Sequence, residues 1–209
     1  MKTPTHRLSA FLLGALLSML SPLAPATENP ATGNSDRIHF KGLLAMAGTG
    51  CPANTPEPSG VGTTDLELRF RHYDAGKGSG TDLERSACSF ALPVHVPQGM
   101  QVSVMTTDWV VYVRGKAQLS RKYFFAGAPE QPWQRNDYDS ARGEYFTEHD
   151  TPLTATAAWT PCGQDVTLRI NSNIRVRNSD SYIAVHPVGS SIPPDQGRIR
   201  FTLMARACQ

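Results

Sequence analysis

The sequence is poor in ready-made chemistry. No G-x-S-x-G elbow, H-E-x-x-H helix, H-x-E with C-x-x-C, or D-x-[DN]-x-[DN]-G loop occurs in its 209 residues. Those absences exclude the commonest motif-borne hydrolases, zinc enzymes and calcium loops. There are only four cysteines, Cys51, Cys88, Cys162 and Cys208, and no two form a C-x-x-C, which argues against a zinc knuckle or a dithiol redox centre. Neither sign of charge prevails, with 20 Lys+Arg against 18 Asp+Glu. A general nucleic-acid binder carries a larger basic excess, so nucleic acid is not an expected partner. Beyond the N-terminus no long apolar run occurs, so no membrane span is expected. No metal or cofactor is expected either.

The N-terminus does carry a signal. Lys2 and Arg7 precede the apolar "LSAFLLGALLSML", and "SPLAPA" follows with small residues at Ala24 and Ala26. This layout predicts a signal peptide over 1–26, cut after Ala26, a flexible leader over 27–36 and one exported domain over 37–209, extracellular or periplasmic. Loss of Lys2 and Arg7 leaves 18 basic and 18 acidic residues, so any electrostatic preference must arise in local patches. Outside the cytoplasm four cysteines predict two disulfides. Of the three connectivities, the sequence-local Cys51–Cys88 with Cys162–Cys208 is favoured, and the crossed pairings stay open. Each such loop is worth roughly 3–4 kcal/mol in the chain-entropy model.

The apolar residues that remain recur mostly every second position. "DLELRFRHY" sets Leu66, Leu68 and Phe70 against Asp65, Glu67, Arg69 and Arg71, the pattern of a half-buried antiparallel strand. "CSFALPVHV" alternates likewise, and its Pro93 predicts an edge position or a bulge. "QVSVMTTDWVVYVRG", "KAQLSRKYFFAG", "TATAAW", "DVTLRI", "NIRVRN" and "GRIRFTLMARAC" supply further short strands, with "NSN" at 171–173 a candidate turn. "CPANTPEPSGVG" and "DAGKGSGTD" read as loops, and 128–150 as a long irregular connection. No long amphipathic helix interrupts the series. The expected fold is therefore all-β, a disulfide-stabilised antiparallel β-sandwich of jelly-roll or Ig-like type in a single domain.

The segments "GTGCP", "RSACSF", "VPQGM", "YFFAG", "TPCG", "LRINSNIRVRN" and "ARAC", in that order, resemble a secreted family known only as domain of unknown function forty-three-sixty. The resemblance spans nearly the whole exported part. It departs from the family's Arg-Lys-Asn-Cys form at Ser86 and Ala87, so only Arg85 and Cys88 of that segment carry over. It implies export, disulfides and a β-rich single domain, and it brings no activity, catalytic residue or cofactor.

Three clusters are candidates for function. Glu144, His149 and Asp150, in "NDYDSARGEYFTEHD", are weak catalytic candidates as an acid/base set on polysaccharide, although no second element completes a mechanism. Trp133 and Tyr138, with Tyr145 and Phe146, could form an aromatic platform for a sugar or peptide. In "LRINSNIRVRN", Arg169, Arg175 and Arg177 share one parity, and Arg198 and Arg200 repeat the arrangement. If their strands are neighbours they form an arginine stripe suited to carboxylate, sulfate or phosphate; the alternative is a wet sheet face on which Asp65 and Glu67 pair with them. His39, His72, His95 and His186 stand singly and predict no ligand set. The preferred reading is a non-catalytic extracellular binding or surface-interaction module for a glycan or protein, of unstated oligomeric state. A secreted polysaccharide hydrolase using 137–150 and a structural envelope component are the alternatives.

Overall fold

The computed structural model describes residues 37–52, 56–79, 84–151, 159–185 and 197–209 (of Met105, the backbone only). The sequence readings on 1–36, on most of "TATAAW" and on His186 lie outside the described residues. Among the described residues there are eleven strands and no helix. All belong to one antiparallel sheet that curls into two facing layers, an antiparallel β-sandwich.

One layer is built from β3 (Pro56–Ser59), β4 (Asp65–Phe70), β11 (Arg198–Ala207) and the first half of β7 (Met100–Phe125). The other contains β6 (Arg85–His95), β9 (Val166–Val176) and the second half of β7, with β1 (His39–Phe40) and β2 (Ala45–Ala47) along the free side of β6. β5 (Asp74–Gly76) and β10 (Tyr182–Ala184) pair beside the middle of β7, and β8 (Gln134–Asp150) runs along its other edge.

The period-two pattern explains the layering. Leu66, Leu68 and Phe70 of β4, Ile199, Phe201 and Leu203 of β11, Phe90, Leu92 and Val94 of β6, and Leu168, Ile170 and Ile174 of β9 are all buried. Phe90 meets Phe70 and Phe201 at 6.3 and 5.9 Å between ring centroids, which joins the two layers. Removing such a side chain from water contributes about 1.5–3 kcal/mol each.

Disulfides join Cys51 to Cys88 and Cys162 to Cys208. The first explains "GTGCP": a β-carbon on Gly48 would fall on the carbonyl oxygen of Ala87, and one on Gly50 would fall on the Tyr73 ring. Only glycine lets this segment lie close enough to β6 for Cys51 to reach Cys88.

Several local expectations are corrected. The two segments expected between 101 and 127 are one 26-residue strand, β7. It carries an extra residue at Met105, between the pairs Val104–Leu203 and Thr106–Thr202, and it bends at Gly115 where φ is +79°. "NSN" is the middle of β9, not a turn, because Ser172 faces inward and bonds the Tyr73 hydroxyl at 2.8 Å and the Cys88 carbonyl at 2.9 Å. Pro93 is neither on an edge strand nor in a bulge. It pairs with Thr167 on one side, and on the other it stands at the break between β1 and β2. "PEPS" forms β3, whose prolines are tolerated because β3 pairs with β4 alone.

The largest correction concerns 128–150. Residues 134–150 form β8, paired with β7 from Thr107 to Arg121. Its inward side is mostly polar, with Asn136, Ser140, Glu148 and Asp150 beside Tyr138 and Phe146, so no apolar alternation announces a strand. Asn136, Glu148 and Asp150 are tolerated there because they bond partners.

Candidate functional site

The β7–β8 hairpin is so strongly bent that its two ends meet. Arg121 pairs in register with Gln134, and Asp150 with Thr107, yet the Arg121 guanidinium grips the Asp150 carboxylate with two donors. A third Arg121 donor reaches the Asn136 amide oxygen at 2.6 Å. The Tyr123 hydroxyl donates to Asp150 at 2.5 Å and accepts from the Trp109 indole N–H at 2.7 Å. The Asn136 amide donates to Glu148.

Arg121 and Trp109 are essentially out of solvent. Burial pulls the Arg121 pKa down, but the hydrogen bonds and charge of Asp150 outweigh it, and the net shift is upward. Burial, reinforced by the Asp150 charge, keeps the Tyr123 hydroxyl protonated well beyond the usual tyrosine range. This is an inter-layer staple, with its acid already neutralised by a guanidinium.

The catalytic candidates therefore do not converge. Asp150 is the buried anchor of the staple, His149 points outward to Asp108 at 2.8 Å, and Glu144 is exposed near the hairpin bend. The aromatic candidates also separate. Trp133 is 40% exposed, whereas Tyr138 is 7% exposed and packs on Phe146 at 4.9 Å. Tyr145 lies against Tyr112 instead. Among the described residues no group of His, Cys, Asp and Glu has a metal-binding arrangement.

The arginines divide between the layers. On β11, Arg198 and Arg200 lie 3.1 and 3.5 Å from Glu67, which also takes Arg69 at 2.6 Å. This is the wet, self-paired sheet face. Just past the end of β9, Arg177 bonds Asp137 at 2.8 Å, while Arg169 and Arg175 on β9 have no hydrogen bond or salt bridge among the described residues. β7 stands between β9 and β11, pairing each with a different half of its length, so the five arginines form no single stripe.

The outer face of the β6–β9–β7 layer holds a groove of about 260 Å³. Register orders this face row by row. Ala91, Arg169 and Phe124 form one row and Ser89, Asn171 and Lys122 the next, and the groove lies over these two; Ala87, Asn173 and Ser120 form the third row and Arg85, Arg175 and Gln118 the fourth, beyond the groove. Small residues on β6 make the floor, and β2 forms one wall. The side-chain amides of Asn171 and Asn173 have no hydrogen-bond partner among the described residues. Beside Asn171, Lys122 lies between the Phe124 and Trp133 rings, 5.6 and 5.2 Å from their centroids, and pairs with Glu130.

A larger hollow of about 590 Å³ lies near Arg37, but the hydroxyls of its Thr63 and Thr64 are tied to Gly60 and Asp65. Ser89 and Asn171 in the groove, and Asn173 and Lys122 beside it, were not singled out from sequence. The two asparagines share the parity of Arg169 and Arg175, a signal visible in the chain. Their alignment with Ser89 and Lys122 depends on strand order and is not.

Fold and site together define a disulfide-clasped antiparallel β-sandwich with an open groove on one outer face, lined by small and apolar residues with Ser89, Asn171 and Arg169 among them. The chain belongs to the family described as "Domain of unknown function (DUF4360)", whose model matches residues 41–196. An uncharacterized secreted protein of Arthroderma benhamiae (strain ATCC MYA-4681 / CBS 112371) is 30% identical over 171 residues, 76% of this chain and 67% of that protein. Among solved structures, TmCBM61 in complex with beta-1,4-galactotriose aligns over 84% of this chain and 92% of its own, with 9% identity and a TM-score of 0.30. That agreement is too loose to bear on function. No helix among the described residues is long and apolar enough to cross a membrane.

Proposed function

We propose that this chain is exported behind residues 1–26 and acts, without catalysis, as an extracellular binding module that holds a glycan in the outer groove. One observation carries the reading. A floor of Ser89 and Ala91 is flanked by the unengaged amide of Asn171, with that of Asn173 one row beyond on the same face, and all of them stand on paired strands behind a disulfide. Rigid strands hold donors and acceptors at fixed spacing, and the exposed Trp133 nearby offers a face against which a sugar ring can pack. A glycan needs that combination of fixed hydrogen-bond groups and an apolar plate.

Affinity electrophoresis of the full secreted chain through a panel of soluble polysaccharides tests the reading. The expected result is retardation by at least one glycan, abolished by Ser89→Trp, which fills the groove from an exposed position and leaves the melting temperature unchanged. No retardation by any glycan, or equal retardation of Ser89→Trp, would refute it.

A further inference from the structure

We infer that the ligand is an acidic polysaccharide, with carboxylate or sulfate groups repeated along its chain; the inference rests on the groove reading above and names the ligand's chemistry. Arg169 and Arg175 stand at the two ends of the β9 outer face with Asn171 and Asn173 between them. Alternate residues on a strand are about 7 Å apart, so the two guanidiniums are separated by about 20 Å, the length of several sugar rings. A small anion cannot span that distance, whereas a polymer with acids at intervals and hydroxyls between can.

The second observation is an unbalanced charge. Arg85 of β6 lies directly opposite Arg175 of β9. Like charges so placed destabilise a sheet. Neither makes a hydrogen bond or salt bridge among the described residues, and the Arg175 Nε is shielded from solvent without an acceptor. Asp137, whose field Arg175 shares, is already held by Arg177 and Gln118, each at 2.8 Å.

The opposite layer shows what this chain does with arginines that need no ligand. There Arg69, Arg198 and Arg200 surround Glu67. Carboxylates and sulfates match the forked guanidinium donors, and a sheet face that leaves three of them open awaits its counter-charge from outside. Because the chain as a whole is nearly balanced, 20 basic against 18 acidic, the attraction is local to this face.

The test is affinity electrophoresis and calorimetry of the full secreted chain with four probes: polygalacturonate for carboxylates, dextran sulfate for sulfates, dextran as the neutral polymer and duplex DNA as a non-glycan polyanion. The expected result is at least about ten-fold tighter binding to one acidic glycan than to dextran, the size of one charge-assisted hydrogen bond. The probe that binds identifies the acid. Binding should weaken as salt rises from about 0.1 to 1 M, where the screening length falls from about 10 to about 3 Å. Arg169→Gln and Arg175→Gln should each lose roughly ten-fold, and Arg200→Gln, on the other layer, nothing.

Arg175→Gln also relieves repulsion from Arg85, so its melting temperature without ligand should equal or exceed that of the parent; a lower one would mean that the pair is structural and would overturn the inference. Dextran bound as tightly as the acidic polymers, with the arginine variants unaffected, would overturn the anionic ligand and leave the groove reading standing. Duplex DNA bound as tightly as the acidic glycans would overturn the glycan assignment. Failure of every glycan to bind would overturn both readings.

Discussion

Replacing Asp150 by alanine tests the view that the bent hairpin is held shut by charge. In the native protein Asp150 receives two donors from Arg121 and one from Tyr123, and Arg121 is only 2% exposed. Without the carboxylate, the guanidinium remains inside the sandwich with only the Asn136 oxygen to accept from it. Stranding a buried charge in this way costs about 3–5 kcal/mol. A domain of this size has about 5–15 kcal/mol in total, so Asp150→Ala should lower its urea midpoint by a large fraction.

Tryptophan fluorescence follows the transition, since Trp109 sits in the same network with its indole N–H on Tyr123. The decisive companion is Arg121→Met with Asp150→Leu, which removes both charges and fills the space with apolar atoms. It should fall within about 1 kcal/mol of the parent or exceed it, because neither ion then has to be desolvated. A cost below about 1 kcal/mol for Asp150→Ala, or a double variant as unstable as the single, would refute the reasoning.

Two further outcomes follow from the clasp and from the β1 edge. Replacing Cys51 and Cys88 by alanine reopens a loop with a sequence separation of 37 and should cost about 4 kcal/mol, read by calorimetry as a melting temperature lower by roughly 10 °C. For Asp165, burial raises the pKa, but the Val96 amide at 3.0 Å, Lys41 at 3.1 Å and His95 outweigh it and leave the carboxyl below its ordinary value. Its contribution is therefore complete above about pH 4 and is lost as pH falls through the lowered folded-state pKa. Asp165→Asn should be less stable at neutral pH, by under about 1 kcal/mol for so exposed a group, and that deficit should vanish in acid. A deficit that persists at low pH in urea titrations would assign the effect to packing.

Much of the architecture was legible because burial on a strand repeats every second residue. Leu66, Leu68 and Phe70, or Leu168, Ile170 and Ile174, announce their buried side without any knowledge of their neighbours. β8 was not legible, since its inward residues are polar and a local pattern cannot show that Asn136, Glu148 and Asp150 would find partners. One clue was present. Arg121 shares its parity with Leu119, Tyr123 and Phe125, so an arginine stood on the buried side of β7 and called for an acid.

Sequence by itself determined the all-β class, the sides of most strands, the outward parity of Arg169, Asn171, Asn173 and Arg175, and the material for two disulfides. Tertiary structure alone decided which strands are neighbours. Alternation fixes which way a side chain points along one strand, but pairing across strands depends on how the whole sheet curls. That curl gave Arg198 and Arg200 their counter-charge in Glu67, set Arg85 opposite Arg175 without one, and folded Asp150 from the far end of a hairpin onto Arg121.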